Sequence, residues 1–268
     1  MLYDMIVLDL DGTLTNEKKE ITSFTKKTLM EYQQRGGRIV LASGRPSYGI
    51  EPIAEELELD RYGGYMMSYN GGEIIDCSTG VSIYQKNLPE EAIGPIYNLA
   101  KENKVSLLTY KDEYLVTETG ADEYVQIESM INRMKIKEVP SFHEYIDFPV
   151  MKCLMMAEGE YLEKVERKVK MKVGSDLNVF RSAPFFLEIV PQNIDKAMSL
   201  EKLLKHLEID RSQVAAFGDG YNDKSMITYA GLGVAMENGQ SEVKAVADMV
   251  APSNEEDGVA QIVEAWFL

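Results

Sequence analysis

Two aspartates flank a single leucine in the run Asp9-Leu10-Asp11-Gly12-Thr13, directly after an apolar stretch. Ser43-Gly44-Arg45-Pro46 follows a second apolar stretch, Lys196 follows Asp195, and Gly218-Asp219-Gly220-Tyr221-Asn222-Asp223 follows a third. Carboxylates, one lysine and a hydroxyl are what a magnesium-assisted phosphoryl transfer needs. Mg²⁺ takes oxygen ligands, keeps several waters and binds through few carboxylates plus the substrate phosphate. Asp-x-Asp-Gly could instead open a calcium loop, but the EF-hand pattern needs its glycine at the sixth position. Gly12 is fourth counted from Asp9 and its loop follows a strand-like run, which argues against calcium. Taken singly, the Ser43 segment reads as a turn, Lys196 as a solvated helix lysine and Gly218-Asp219-Gly220 as a loop. Their joint placement, each at the end of an element, is what carries weight.

The elements that must position these residues follow from hydrophobic period. Met5 to Leu10 is a short apolar run of the kind that forms a fully buried strand. A helix is expected from Ser23 to Arg35, stopped by Gly36-Gly37, then a strand over Arg38 to Ala42, a helix over Tyr48 to Leu57 and a strand over Tyr65 to Ser68. The C-terminal part repeats this grammar. Lys196 to Leu207 is an amphipathic helix and Gln213 to Phe217 a strand; Asn222 to Tyr229 is a helix, Leu232 to Ala235 a strand and Val259 to Trp266 a closing helix. Alternating strands and helices of these lengths predict a parallel sheet of the α/β, Rossmann-like class. In such a sheet ligands bind at the carboxyl ends of the strands, where all the polar clusters above fall.

The middle of the chain differs. Helices are expected near Pro89–Asn103, Ala121–Arg133 and Gly159–Met171, with strands near Val105–Tyr110, Tyr114–Glu118, Val150–Ala157 and Leu177–Arg181. Several of these strands alternate apolar and polar residues, as an antiparallel sheet with one covered face does. The expectation is a discontinuous core, residues 1–84 and 188–268, with an α+β cap domain, residues 85–187, inserted into it.

Composition narrows the partners. The 268 residues carry 28 lysines and arginines against 44 aspartates and glutamates, a formal net charge of −16. Nucleic acid and anionic membranes both require a basic footprint, so neither is an expected partner. A phosphate site in so acidic a chain must build its own positive field from a metal, a lysine or backbone amides. His143 and His206 stand apart without a partner motif, and Cys77 and Cys153 lack any metal-type spacing. No basic segment with a long apolar stretch opens the chain and no apolar run nears the roughly 20 residues of a membrane span, so a cytoplasmic protein with reduced thiols is expected.

On these motifs the chain resembles the haloacid dehalogenase superfamily, and within it the Cof-type sugar-phosphatase branch. The resemblance rests on Asp9-Leu10-Asp11-Gly12-Thr13-Leu14, Leu41-Ala42-Ser43-Gly44-Arg45, Asp195-Lys196 and Gly218-Asp219-Gly220-Tyr221-Asn222-Asp223. Asn70-Gly71-Gly72 and Leu187-Glu188-Ile189 also look like that branch's cap hinges. Two departures are Ala197, where the branch usually has glycine, and Ser43, where threonine is commoner. The resemblance implies that Asp9 attacks phosphorus to form an aspartyl-phosphate. Asp11 then acts as general acid and afterwards as general base. Mg²⁺ is implied on the Asp9 carboxylate, the Asp11 carbonyl and Asp219, with Asp223 in support. Leu10, Ser43, Gly44, Lys196 and Asn222 are implied to hold the phosphoryl oxygens.

Arg45 and Asn70, on the core side of the rim, are candidate substrate contacts; a salt-bridged arginine and a turn asparagine are the alternatives. The implied reaction is hydrolysis of small phosphorylated metabolites, sugar phosphates foremost, by a monomer or homodimer, with a cap that rocks over the strand ends and selects the leaving group. A phosphomutase or phosphotransferase of the same superfamily, and a catalytically inactive binding protein, are the rival readings.

Overall fold

The computed structural model describes residues 3–268. The chain forms two compact units, one running up to Tyr84 and resuming at Asp195–Leu268, the other spanning Gln85–Ile194.

The first unit opens with β1 (Met5–Leu8), α1 (Ser23–Gln34), β2 (Arg38–Ala42), α2 (Ser47–Glu56), α3 (Leu59–Tyr62), β3 (Tyr65–Ser68), β4 (Glu73–Asp76) and β5 (Val81–Gln85). All four residues of β1 are fully buried, and they alternate between two cores. Ile6 and Leu8 pack with Leu29 and Tyr32 of α1 and Ile50 of α2, whereas Met5 and Val7 point into the opposite cluster. Burial of both faces explains why the run is apolar throughout rather than alternating. Thr22 caps α1 by accepting the Thr25 N–H at 3.1 Å.

The second unit follows as α4 (Glu90–Glu102), β6 (Ser106–Lys111), β7 (Tyr114–Thr117), α5 (Glu123–Asn132), β8 (Lys135–Glu138), α6 (Phe142–Tyr145), β9 (Cys153–Met156), α7 (Gly159–Val173), β10 (Leu177–Ala183) and β11 (Phe186–Pro191). Its six-stranded sheet has the order β10-β11-β9-β6-β7-β8, antiparallel except for the β7–β8 pair. Ile93 and Ile96 of α4 and Leu162, Val165 and Val169 of α7 cover the face carrying Leu107, Cys153, Met155, Leu187 and Ile189.

The chain returns with α8 (Lys196–Leu207), β12 (Val214–Gly218), α9 (Lys224–Tyr229), β13 (Leu232–Met236), α10 (Ser241–Lys244), β14 (Met249–Ala251) and α11 (Gly258–Trp266). The first unit's sheet has the order β14-β13-β12-β1-β2-β3-β4-β5. It is parallel from β14 to β3 and turns antiparallel at β3–β4. β1 lies between β2 and β12, the point where the strand order reverses and ligand crevices form. Leu8 is level with Leu41 and Phe217, and Ala42 with Met67, so the four strands run out together at one edge.

Two expectations are corrected. The boundary expected at residues 187 and 188 lies at 194 and 195 instead. Leu187-Glu188-Ile189 is no hinge: all of β11 is buried, and it pairs with both β9 and β10 inside the second unit. The helix expected over Asn222 to Tyr229 begins as a 3₁₀ turn at Tyr221–Asp223, with regular helix only from Lys224. Among the described residues no helix is long and apolar enough to cross a membrane.

Candidate active site

The loop after β1 folds back on itself. Leu14 N–H donates to the Asp9 carbonyl at 3.2 Å, and the Thr15 N–H and hydroxyl both donate to the Leu10 carbonyl at 2.9 Å. The Asp9 N–H continues the sheet, donating to Phe217 O at 3.0 Å. Asp9 is thereby held, buried, at the strand end. At Gly12, with φ +91°, a Cβ would sit 2.5 Å from Asp219 Oδ2, so only glycine lets the two loops close together. Thr13 Oγ1 donates to Asp219 Oδ1 at 2.8 Å across the same gap.

Lys196 reaches this pocket from the first position of α8, whose cap Asp195 accepts the Met198 N–H at 2.8 Å. The side chain is fully buried, yet all three ammonium protons find acceptors. Nζ donates to Asp9 Oδ1 at 2.6 Å, to Asp223 Oδ1 at 2.5 Å and to the Ala42 carbonyl at 2.8 Å. The other oxygen of Asp223 accepts the N–H groups of Asp219 (3.0 Å) and Gly220 (2.8 Å). Asp223 therefore ties the lysine to the loop that carries Asp219.

Carboxylate oxygens of Asp9, Asp219 and Asp223 lie within 4.8 Å of one another. Three acids crowd around one ammonium, with Asp9 and Asp223 buried and Asp219 half-buried. Burial first, and then the charges of Asp223 and Asp219, hold the Asp9 carboxyl well above the usual range despite the Lys196 bond. Burial raises Asp219 as well, against the bond from Thr13. For Lys196 burial alone would lower the pKa, but Asp223 and Asp9 outweigh it and keep the ammonium charged.

Asp11 has a different setting. Arg45 grips it in a fork, Nε to Oδ2 at 2.8 Å and an Nη to Oδ1 at 2.6 Å, and Lys19 Nζ lies 2.7 Å from Oδ1. Burial would raise this carboxyl, but the bonds and charges of Arg45 and Lys19 prevail and lower it. Ser43 is buried, and its Oγ accepts the Arg45 N–H at 3.1 Å, leaving the hydroxyl proton free to be donated elsewhere. Asn222 is exposed and donates to Asn70 Oδ1 at 3.0 Å.

Residues 6–263 match the family model for haloacid dehalogenase-like hydrolases. The chain belongs to this family. A haloacid dehalogenase-like hydrolase from Bacteroides thetaiotaomicron shares 49 % of its sequence and superposes with a TM-score of 0.97, over 99 % of this chain and 100 % of that one. YxeH of Bacillus subtilis is 31 % identical over 100 % of this chain and 99 % of its own length. The 5-amino-6-(5-phospho-D-ribitylamino)uracil phosphatase YcsE of the same organism is 28 % identical over 98 % and 96 %.

The donor set of this hydrolase fits a hard divalent cation. Asp9 and Asp219 bring oxygens to a partly buried cluster with more negative charge than one lysine can balance. Asp223 already has both oxygens engaged, with Lys196 and with two amides, which suits support from outside the ligand shell. Sequence reasoning did not assign Lys19, Thr13 or Asn238, whose Nδ2 donates to the Gly12 carbonyl at 2.8 Å. Thr13 lay inside a recognised motif; Lys19 and Asn238 carried no signal, because loop geometry alone brings them to the site.

Proposed function

We propose that this hydrolase is a Mg²⁺-dependent phosphatase that cleaves monoesters of small phosphorylated metabolites, sugar or polyol phosphates foremost, through an aspartyl-phosphate on Asp9. The observation that carries the reading is the fully buried Lys196 ammonium joined to Asp9 and Asp223, with Asp219 beside them. That arrangement holds a nucleophilic carboxylate against a phosphate dianion only if positive charge is supplied at the same place. The relative YcsE, named for an ester of a ribityl chain, supports the polyol class.

Asp9 Oδ2, the oxygen not bonded to Lys196, attacks phosphorus in line while the bond to the leaving oxygen breaks. Lys196, the Ser43 hydroxyl and the amides of Leu10, Gly44 and Asn222 take the charge of the phosphoryl oxygens. Asp11 delivers a proton to the leaving oxygen and takes one back from the water that hydrolyses the acyl phosphate. Its lowered pKa suits the second half; the first half requires the Arg45 and Lys19 bonds to loosen. Asp9, Asp219 and the Asp11 carbonyl would hold Mg²⁺, which when bound neutralises phosphoryl charge.

The test uses purified protein and a panel of sugar and polyol phosphates. One inorganic phosphate per ester consumed is expected, with turnover lost in EDTA and regained with Mg²⁺. Reducing the enzyme with borohydride during turnover should convert Asp9 to homoserine. Asp9→Asn should stay folded by circular dichroism and release no phosphate. Transfer to a second hydroxyl without free phosphate would make the protein a mutase, and turnover undiminished in chelator would rule out the metal.

A further inference from the structure

Tyr69, Asn70 and Gly71, directly after β3, have three consecutive left-handed backbones, with φ of 52°, 57° and 94°. For tyrosine and asparagine this conformation is costly and persists only where the surroundings enforce it. Here the enforcing contacts run to three other parts of the site. The Tyr69 N–H donates to the Arg45 carbonyl and the Asn70 N–H to the Ser43 carbonyl, both at 2.9 Å. Ser199, one turn along the helix that Lys196 opens, donates its hydroxyl to the Gly71 carbonyl at 2.6 Å. The Asn70 side chain accepts from Asn222 at 3.0 Å. It also lies flat against Gly44, where a Cβ would come within 3.2 Å of both amide atoms.

We propose that Asn70 is a positioning residue for the anion cradle. Its amide oxygen fixes the rotamer of exposed Asn222, so that the remaining N–H of that side chain is aimed before the phosphoryl group arrives. This differs from a direct contact with the leaving group, the role expected from sequence. The inference rests on the phosphatase reading for the identity of the anion. An exposed asparagine left alone samples several rotamers, and a donor that must be ordered on binding contributes less than one already in place.

Backbone and side chain make separable contributions, because glycine adopts φ near +57° freely but has no amide to offer. The experiment compares full-length wild type with Asn70→Gly, Asn70→Ala, Asn222→Ala and the Asn70→Gly/Asn222→Ala double variant, all with Mg²⁺ present. Thermal midpoint, inhibition by inorganic phosphate, KM and kcat are read for each. Asn70→Gly should keep the wild-type midpoint while phosphate inhibits about tenfold less tightly and KM rises in step, the scale of one lost hydrogen bond. Asn70→Ala should show the same loss of affinity together with a midpoint several degrees lower. The double variant should bind phosphate no more weakly than Asn222→Ala, since the two act as a unit. Wild-type phosphate affinity in Asn70→Gly would reduce the turn to scaffolding and overturn the proposal, as would additive losses, which would place Asn70 directly on the anion. A wild-type protein that neither binds phosphate nor releases it would instead overturn the phosphatase reading itself.

Discussion

Each unit buries one lysine against acid, and the two pairs are built differently. Lys196 is fully buried among three acids and makes three hydrogen bonds of 2.5–2.8 Å. Lys152, just before β9, lies 3.5 Å from Glu188 of β11 and 5.0 Å from the centre of the Tyr110 ring. A buried ion pair of this kind can often be exchanged for apolar groups of similar volume with little loss. The Lys196 cluster keeps an excess of negative charge and raises the pKa of Asp9, a cost that a binding site justifies and a core does not. Both lysines are buried, so it is the crowding of three acids around Lys196, rather than burial, that marks its cluster out.

Breaking the first cluster should have the largest effect. Lys196→Met is expected to lower kcat on a small activated phosphate ester by about a thousandfold, the upper range for one lost charge-stabilising donor. Adding Asp223→Asn should not restore it, since Asp9 and the Ala42 carbonyl still lack their donor. Phosphate-release assays decide this, and a double variant near wild-type rate would make the Lys196 cluster another structural pair.

The second pair should respond in stability. Lys152→Met strands Glu188 and should cost about 3–5 kcal/mol, read by denaturant unfolding. Lys152→Met with Glu188→Leu should recover most of that loss. A double variant as unstable as the single one would mean that the pair is more than a neutral strut.

A smaller, pH-dependent effect is expected at Glu118. Burial would raise this carboxyl, but the Phe142 N–H at 2.7 Å and Lys101 at 2.9 Å outweigh it and hold the group below its ordinary value of about 4.3. With the folded pKa below the unfolded one, its contribution is complete above about pH 4.3 and fades as pH falls through the native value. Glu118→Gln should flatten that acid limb in thermal melts between about pH 3 and about pH 6. An unchanged limb would assign the acid sensitivity to other carboxylates.

The smallest effect concerns Cys153, the neighbour of Lys152 in sequence. Alternation turns its thiol into the apolar core, and burial pushes it up to about 12. Cys77 is also pushed up to about 12, by burial first and nearby acids second. Native protein should therefore react very slowly with thiol reagents at neutral pH, and unfolded protein at both cysteines. Fast labelling of Cys153 would show that the Lys152 charge reaches it.

Much of the parallel sheet was legible because its strands are buried on both faces. Arg38–Ala42 and Tyr65–Ser68 fall where the apolar runs put them, and α8 begins at Lys196 behind its Asp195 cap. The half-exposed β5 and the charged β8 left no such mark. The resemblance marks Leu187-Glu188-Ile189 as a hinge, whereas β11 is buried and paired on both sides, with Lys152 beside Glu188. The acids, Lys196, Ser43 and Asn222 are brought to one sheet edge as their motifs implied. Lys19 was invisible, since only the fold of its loop carries it to Asp11. Of the two readings open for Arg45 and Asn70, the structure shows the salt-bridged arginine, on Asp11, and the turn asparagine, bonded to Asn222.

The discontinuity of the first unit also sets an order of assembly. Asp9 and Lys196 meet across 187 positions of chain, so the β1–β12 pairing that frames them must wait until the C-terminal segment has been made. Strands of the second unit pair largely with near neighbours, and its ends are already joined, with Lys86 Nζ bonded to the Gln192 carbonyl at 2.6 Å. Once that unit has folded, the stretch of chain that the Asp9–Lys196 contact must close is roughly halved in effective length, an entropic gain of only about 0.6 kcal/mol. The benefit is kinetic. During synthesis the middle of the chain can collapse on its own and keep β1 and β2 from wandering far, so that the late strands β12 to β14 meet a partner close at hand.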